Sequence, residues 1–279
     1  MKKKIIENQI KNIEKDGFSI IENYVDKKSI IKLNKEADKI SDKINQNDVS
    51  FKSPVGVQSS IKNDRIVNNI IYFSENFLKL ATSGYHINII SKFLNDPYYG
   101  LIREDLPNFI LGGANIRKSD SSLLPHVDVR MRLPDNIDYS MQCILALGNR
   151  NQNNGGLLVA PGSHRDVSKD LNYDMIPINL KKGDMIIFSS NLVHATSRNK
   201  KEASWGFLLT YKCWWTKPQF DFLNMFGINE RLDNILKGLS SNKIKRKLEG
   251  DFFKLTSPTE MGELFKCMIF TKEEFRVLI

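Results

Sequence analysis

Cysteine is scarce: Cys143, Cys213 and Cys267 are the only three in 279 residues. They are odd in number, scattered and without C-x-x-C spacing, which argues against a disulfide framework and a zinc knuckle. We read them as buried thiols. No apolar run approaches the roughly 18 residues of a membrane span. The basic opening MKKKIIENQIKNIEKDG lacks the apolar centre of a secretory leader. Cytoplasmic residence with no membrane partner is therefore the expectation. Acidic residues are the minority, 32 against 41 Lys and Arg, for a net charge of +9. No block alternates bases with aromatics as a single-strand platform would, so the excess reads as spread surface charge and no nucleic-acid partner is expected. Internal repeats and low-complexity linkers are missing too.

What is present is a soluble globular composition, with 41% hydrophobic, 10% aromatic and 26% charged residues. The length suits one β-barrel carrying helical decoration. Residues 1–15 read as helix, and GFSIIENYVD (17–26) as a short strand ending in an Asp able to cap the helix that follows. Residues 46–64 have no period and read as a loop, and 74–95 return to helix. From about 108, short β-rich runs alternate with Gly, Pro, Asn and Asp turns. Runs at 108–116, 126–133, 139–148, 157–160, 176–180, 185–189 and 205–213 give seven or eight strands. The predicted fold is mainly β with α decoration: a double-stranded β-helix (jelly roll, cupin-like) flanked by N-terminal and C-terminal helices. We expect a single oxygenase-sized domain over 1–279, with a mainly helical part at 1–107, the β-helix core at 108–213 and helices over 214–279.

The stretch LLPHVDVRM (123–131) sets His126 and Asp128 one residue apart in an apolar run. On a strand, alternate side chains share a face, so both aim at one spot. An H-x-D pair alone is weak and needs a third partner. His194, in GDMIIFSSNLVHATSRN, supplies a candidate 66 residues after Asp128, a distance only the fold can close. Two histidines and one carboxylate form the facial triad of non-heme Fe(II) oxygenases, with positions left open for co-substrate and oxygen.

Taken in order, GFSIIENYVD, HVD (126–128), NNGGLLVAPGSH (153–164) and KKGDMIIFSSNLVHATSRN (181–199) resemble the phytanoyl-CoA dioxygenase family of Fe(II)/2-oxoglutarate oxygenases. The resemblance runs from 17 to about 213. It implies a double-stranded β-helix, iron held at His126, Asp128 and His194, and 2-oxoglutarate and O2 as co-substrates. It further implies hydroxylation of an unactivated carbon, with ring closure or desaturation open to the same chemistry. The intact Asp128 disfavours halogenation, since related halogenases carry a small residue there. Thr196 is a family-based candidate for contact with a co-substrate carboxylate.

One element departs from the family pattern. An arginine normally follows the distal histidine by about eleven residues and pairs with the far carboxylate of 2-oxoglutarate through two parallel hydrogen bonds. Counting from His194 reaches Trp205, and a one-residue gap gives Ser204. A buried carboxylate without a cationic partner is costly, so another base substitutes or 2-oxoglutarate is not used. Parity offers Arg130 and Arg132 on the face of His126 and Asp128, and Lys212 on the last strand; Arg117 and Lys118 lie on the strand preceding the HVD segment. Such bases would equally hold an anionic substrate.

Bland readings fit the remaining candidates. His164 closes the APGSH turn and reads as structural, and His86 as packing or surface. Gly155 and Gly156 permit a tight turn into a strand. Trp205, Phe207, Leu209 and Tyr211 alternate as a buried strand face. Three functions follow. The first is an Fe(II)-dependent, 2-oxoglutarate-using hydroxylase of a small polar metabolite, an anionic one included. The second is an Fe(II)/O2 oxygenase that dispenses with 2-oxoglutarate. The third is a silent barrel that binds a ligand.

Overall fold

The computed structural model describes residues 2–47, 50–53, 56–61, 64–82, 84–94, 109–119, 122–129, 138–166, 171–198, 203–213 and 216. Helix α1 (Lys2–Asp16) leads into β1 (Phe18–Ile21), and α2 (Lys27–Asn47) follows. Asp26 caps α2, its carboxylate accepting from the backbone N–H groups of Lys28 and Ser29 at 2.9 and 3.0 Å. Ile30, Leu33, Ala37, Ser41 and Ile44 recur at helical spacing and are buried.

Residues 46–64, expected to be a loop, instead contain strands. β2 (Ser50–Ser53), β3 (Gly56–Ile61) and β4 (Asp64–Val67) form an antiparallel meander that extends the main sheet. The N-terminal part is thus helix plus four strands. The helix expected over 74–95 is two, α3 (Glu75–Thr82) and α4 (His86–Phe93).

From residue 109 come eight strands, in line with the seven or eight expected: β5 (Phe109–Ser119), β6 (Leu123–His126), β7 (Ser140–Ala146), β8 (Leu157–Val159), β9 (Ile176–Pro177), β10 (Met185–Ser189), β11 (His194–Thr196) and β12 (Gly206–Cys213). They belong to two antiparallel sheets, an eight-stranded one ordered β1-β10-β7-β12-β5-β4-β3-β2 and a four-stranded one ordered β6-β11-β8-β9. The chain is a double-stranded β-helix, as the turn-punctuated runs predict. The expected C-terminal helices, Trp214, Trp215 and Cys267 lie outside the described residues.

The large sheet has two apolar faces, each with its own cover. Outward, Met141, Cys143, Leu145, Met185, Ile187, Phe207, Leu209 and Tyr211 join the helices in one core. Inward, Ala146, Ile186 and Phe188 meet Leu157, Val159, Ile178, Leu180 and Leu192 in a second. Cys143 and Cys213 are buried. His86 is packing of a particular kind. Tyr211 donates to the Ala81 carbonyl at 2.7 Å and so accepts from His86 Nε2, 2.9 Å away; Nδ1 then accepts from Tyr24. Every polar atom in that chain has a partner inside the core.

Candidate metal centre and cleft

β11 lies between β6 and β8 in the small sheet, and His194 stands directly opposite His126 and Val159. The ladder shifts between His194 and Thr196. The strand carrying His126 ends there, so alternation does not carry on to Asp128. Asp128 is placed by a backbone bond instead, its N–H donating to the Ser190 carbonyl at 3.0 Å. The three side chains still converge, with one donor atom from each within 4.8 Å of the others.

Both imidazoles are oriented the same way. His126 Nδ1 lies 2.7 Å from the Leu124 carbonyl, and His194 Nδ1 lies 3.0 Å from the Leu192 carbonyl. A carbonyl only accepts, so each Nδ1 carries a proton, which leaves Nε2 as the nitrogen through which each ring would bind a metal. Those Nε2 atoms face Asp128, at 3.7 Å from Oδ1 for His126 and 3.6 Å from Oδ2 for His194. Burial holds His194 below the usual imidazole range, against the pull of the Asp128 charge, and Phe188 packs against its ring. Two imidazole nitrogens and a carboxylate, fixed from behind by carbonyls, are a donor set that suits a divalent transition metal.

Behind the site lies a polar support that was not anticipated from sequence. Asp138 accepts from Ser189 and, at 3.0 Å, from Asn191, and Ser190 donates to Ser140 at 2.9 Å. Gln142 donates to Ser190 and accepts from Thr210 at 2.7 Å. The SSN run at 189–191 is thereby locked between β10 and β11.

The triad opens into a cleft of about 720 Å³, counting space open to solvent, between the two sheets. One wall is the small sheet, with His126, His194, Thr196 and Leu157. The other is the inner face of the large sheet, with Gln142, Ile144, Leu208, Arg117 and Arg150. Thr196 lines the cleft, and its Oγ1 accepts from the Leu123 N–H at 2.8 Å. Lys212 shares the face of Leu208 and Thr210 but lies beyond the residues that line the cleft. Arg130 and Arg132 fall outside the described residues. His164 takes no part in the triad and packs against Gly17 and Leu192.

Trp205 sits where the family's arginine was sought, and it faces away. It is 2% exposed in the outer core. Its Nε1 donates to Asp38 at 2.8 Å, and Arg65 stacks on its ring. The next residue, Gly206, turns inward and pairs with Arg117. Arg150, beyond the end of β7, was also missed from sequence. Continued β7 parity, 142, 144, 146 and on to 150, was the signal for it.

The fold is a double-stranded β-helix with a candidate metal centre at its mouth, and comparison assigns it further. Residues 13–204 match the family model described as phytanoyl-CoA dioxygenase (PhyH). The chain belongs to that family. The match ends just before Trp205. Solved structures share the fold at low identity. The non-heme alpha ketoglutarate dependent epimerase SnoN from nogalamycin biosynthesis aligns at 15% identity and TM-score 0.57, over 76% of this chain and 83% of that one. HygX from Streptomyces hygroscopicus, with nickel and 2-oxoglutarate bound, aligns at 14% and 0.58 over 76% and 88%. EctD from S. alaskensis with bound Fe aligns at 17% and 0.58 over 76% and 78%. No curated protein sequence matches significantly.

Proposed function

We propose that the protein is an Fe(II)- and 2-oxoglutarate-dependent oxygenase that oxidises a carbon of a small polar molecule. The observation that carries this is the triad: His126 and His194 with both Nε2 atoms turned on Asp128 and both Nδ1–H groups tied to carbonyls. Family membership over residues 13–204 supports it. So do the fold neighbours whose structures hold iron, or nickel with 2-oxoglutarate.

In this reading His126, Asp128 and His194 would hold the metal. Iron bound there would supply O2 activation coupled to keto-acid decarboxylation, RH + 2-oxoglutarate + O2 giving ROH + succinate + CO2. The protein's own part is placement. The Leu124 and Leu192 carbonyls fix the aim of the two rings, holding each Nδ1–H from behind and turning each Nε2 toward Asp128. Phe188, Leu157, Ile144 and Leu208 give the cleft apolar walls that exclude water from the reacting carbon. Thr196, Gln142 and the arginines supply the polar contacts that orient ligands.

A second reading, an Fe(II)/O2 enzyme without 2-oxoglutarate, draws on one observation: Trp205 occupies the arginine position and faces the outer core. Anaerobic Fe(II) titration followed by 2-oxoglutarate separates the two. A weak visible band on keto-acid addition, with succinate formed once O2 is admitted, is the expected result. Iron binding without a band would favour the second reading, and no iron binding would overturn both.

A further inference from the structure

The cleft has a cationic end, and its construction explains why β12 lacks the arginine. Gly206 lies on the inner face of β12, one residue past the position counted from His194. A Cβ built there would collide with Nη1 of Arg150. Glycine at 206 thus leaves the volume that Arg150's guanidinium fills. The opposite neighbour of Gly206 in the ladder is Arg117, from β5. The Arg150 guanidinium therefore fills the place where a side chain of β12 would begin, Arg117 stands at the paired position of the next strand, and both residues line the cleft that holds the triad.

The loop carrying Arg150 is braced to hold that position. Arg150 bridges to Leu180 through both backbone groups at 2.8 Å. Asn151 N–H donates to Asn154 Oδ1 at 2.6 Å, and Asn154 Nδ2 donates to the Asn149 carbonyl at 2.7 Å. Gly156 packs so closely on the Asn151 backbone that any side chain would strike it. Nη2 of Arg150 donates to the Gly155 carbonyl at 3.1 Å, fixing the plane of the guanidinium. Among the described residues no carboxylate forms an ion pair with Arg150. Desolvation, with the Arg117 charge adding to it, pulls Arg150 down to about 10. A guanidinium held in a sheltered cleft without a carboxylate, with a second positive charge nearby, is stabilised by a bound anion.

Resting on the reading of the site as a 2-oxoglutarate oxygenase, we propose that Arg150, laid across Gly206 and supported by Arg117, receives the distal carboxylate of 2-oxoglutarate in place of an arginine on β12. Iron and this pair then grip the two ends of the keto acid. The planar fork of Arg150 suits a carboxylate bidentately. Because the anchor comes from the loop after β7, position 205 is released to the outer core, where tryptophan packs.

The test uses the full-length protein loaded anaerobically with Fe(II), and two keto acids: 2-oxoglutarate, and 2-oxobutyrate, which chelates iron identically but has no distal carboxylate. In the unaltered protein, 2-oxoglutarate should give the chelate band at roughly 100-fold lower concentration, the scale expected of a charge-assisted bidentate contact. Arg150→Met should abolish most of that preference, leaving Fe(II) and 2-oxobutyrate binding unchanged. Arg150→Lys should recover part of it. Gly206→Ala should also weaken 2-oxoglutarate selectively by pushing the guanidinium aside, and it serves where Arg150→Met fails to fold. If these variants keep the full preference, the anchor is elsewhere and the pair serves the oxidised substrate. If the unaltered protein binds iron but neither keto acid, the co-substrate reading fails, and this proposal with it.

Discussion

His126 and His194 face each other across the β6–β11 ladder with ring centroids 4.3 Å apart, although 68 residues separate them in the chain. Their pairing makes the metal site a property of strand register. A slip of one residue would send both rings to opposite faces. Replacing either with Ala should reduce Fe(II) affinity by about 100-fold or more, since two ligands do not hold what three do. Anaerobic titration of His126→Ala and His194→Ala decides this, and unchanged affinity in either would remove that residue from the site.

Restoring the family's residue at 205 should fail. Trp205→Arg would put a cation into the outer core beside Arg65 and take the indole N–H from Asp38. We expect a loss of roughly 3 kcal/mol or more and no gain in 2-oxoglutarate affinity. Denaturant unfolding and the chelate titration measure the two halves separately.

The buried tyrosine–histidine chain is a stability device remote from the cleft. Tyr211→Phe removes the hydroxyl that donates to Ala81 and accepts from His86, leaving both without that partner. The cost should be about 1–3 kcal/mol, with iron binding intact. A thermal melt that does not move would show that water takes the hydroxyl's place.

His164 gives a pH dependence of known sign. Burial, reinforced by Arg165, holds its imidazole below the usual range. Near pH 6.5 the unfolded chain gains a proton that the folded chain refuses. Its contribution is fully present above that pH and is lost as pH falls below it. His164→Gln should therefore show a flatter stability profile than the unaltered protein between pH 7 and pH 5, by urea unfolding. Parallel profiles would mean that the folded protein accepts the proton at little cost.

Much of this arrangement is legible in the sequence, for reasons that differ by element. β7, β10 and β12 are apolar runs bounded by turn formers, and their period survives folding because both faces of the large sheet are covered. H-x-D and a distant histidine were readable because the chemistry needs those residue types. The meander β2–β4 was not: KSPVGVQSSIKNDR is mostly polar and broken by Pro and Gly, and its strands form by pairing in series, β4 on β5, β3 on β4 and β2 on β3. Nor was the end of β6 at His126, because Asp128 is positioned by a bond to Ser190 that only the tertiary structure supplies. Arg150 escaped because counting along a motif looks for a residue at a position, while the cleft requires a charge at a point in space.

The inner apolar core also acts as a calliper. His126 and His194 belong to the thin sheet and Arg117 and Arg150 line the wall opposite, with Phe188, Leu157, Val159 and Leu192 packed between the layers. On the proposed grip of the keto acid, trimming one of those four side chains would retune which length of diacid fits between the walls.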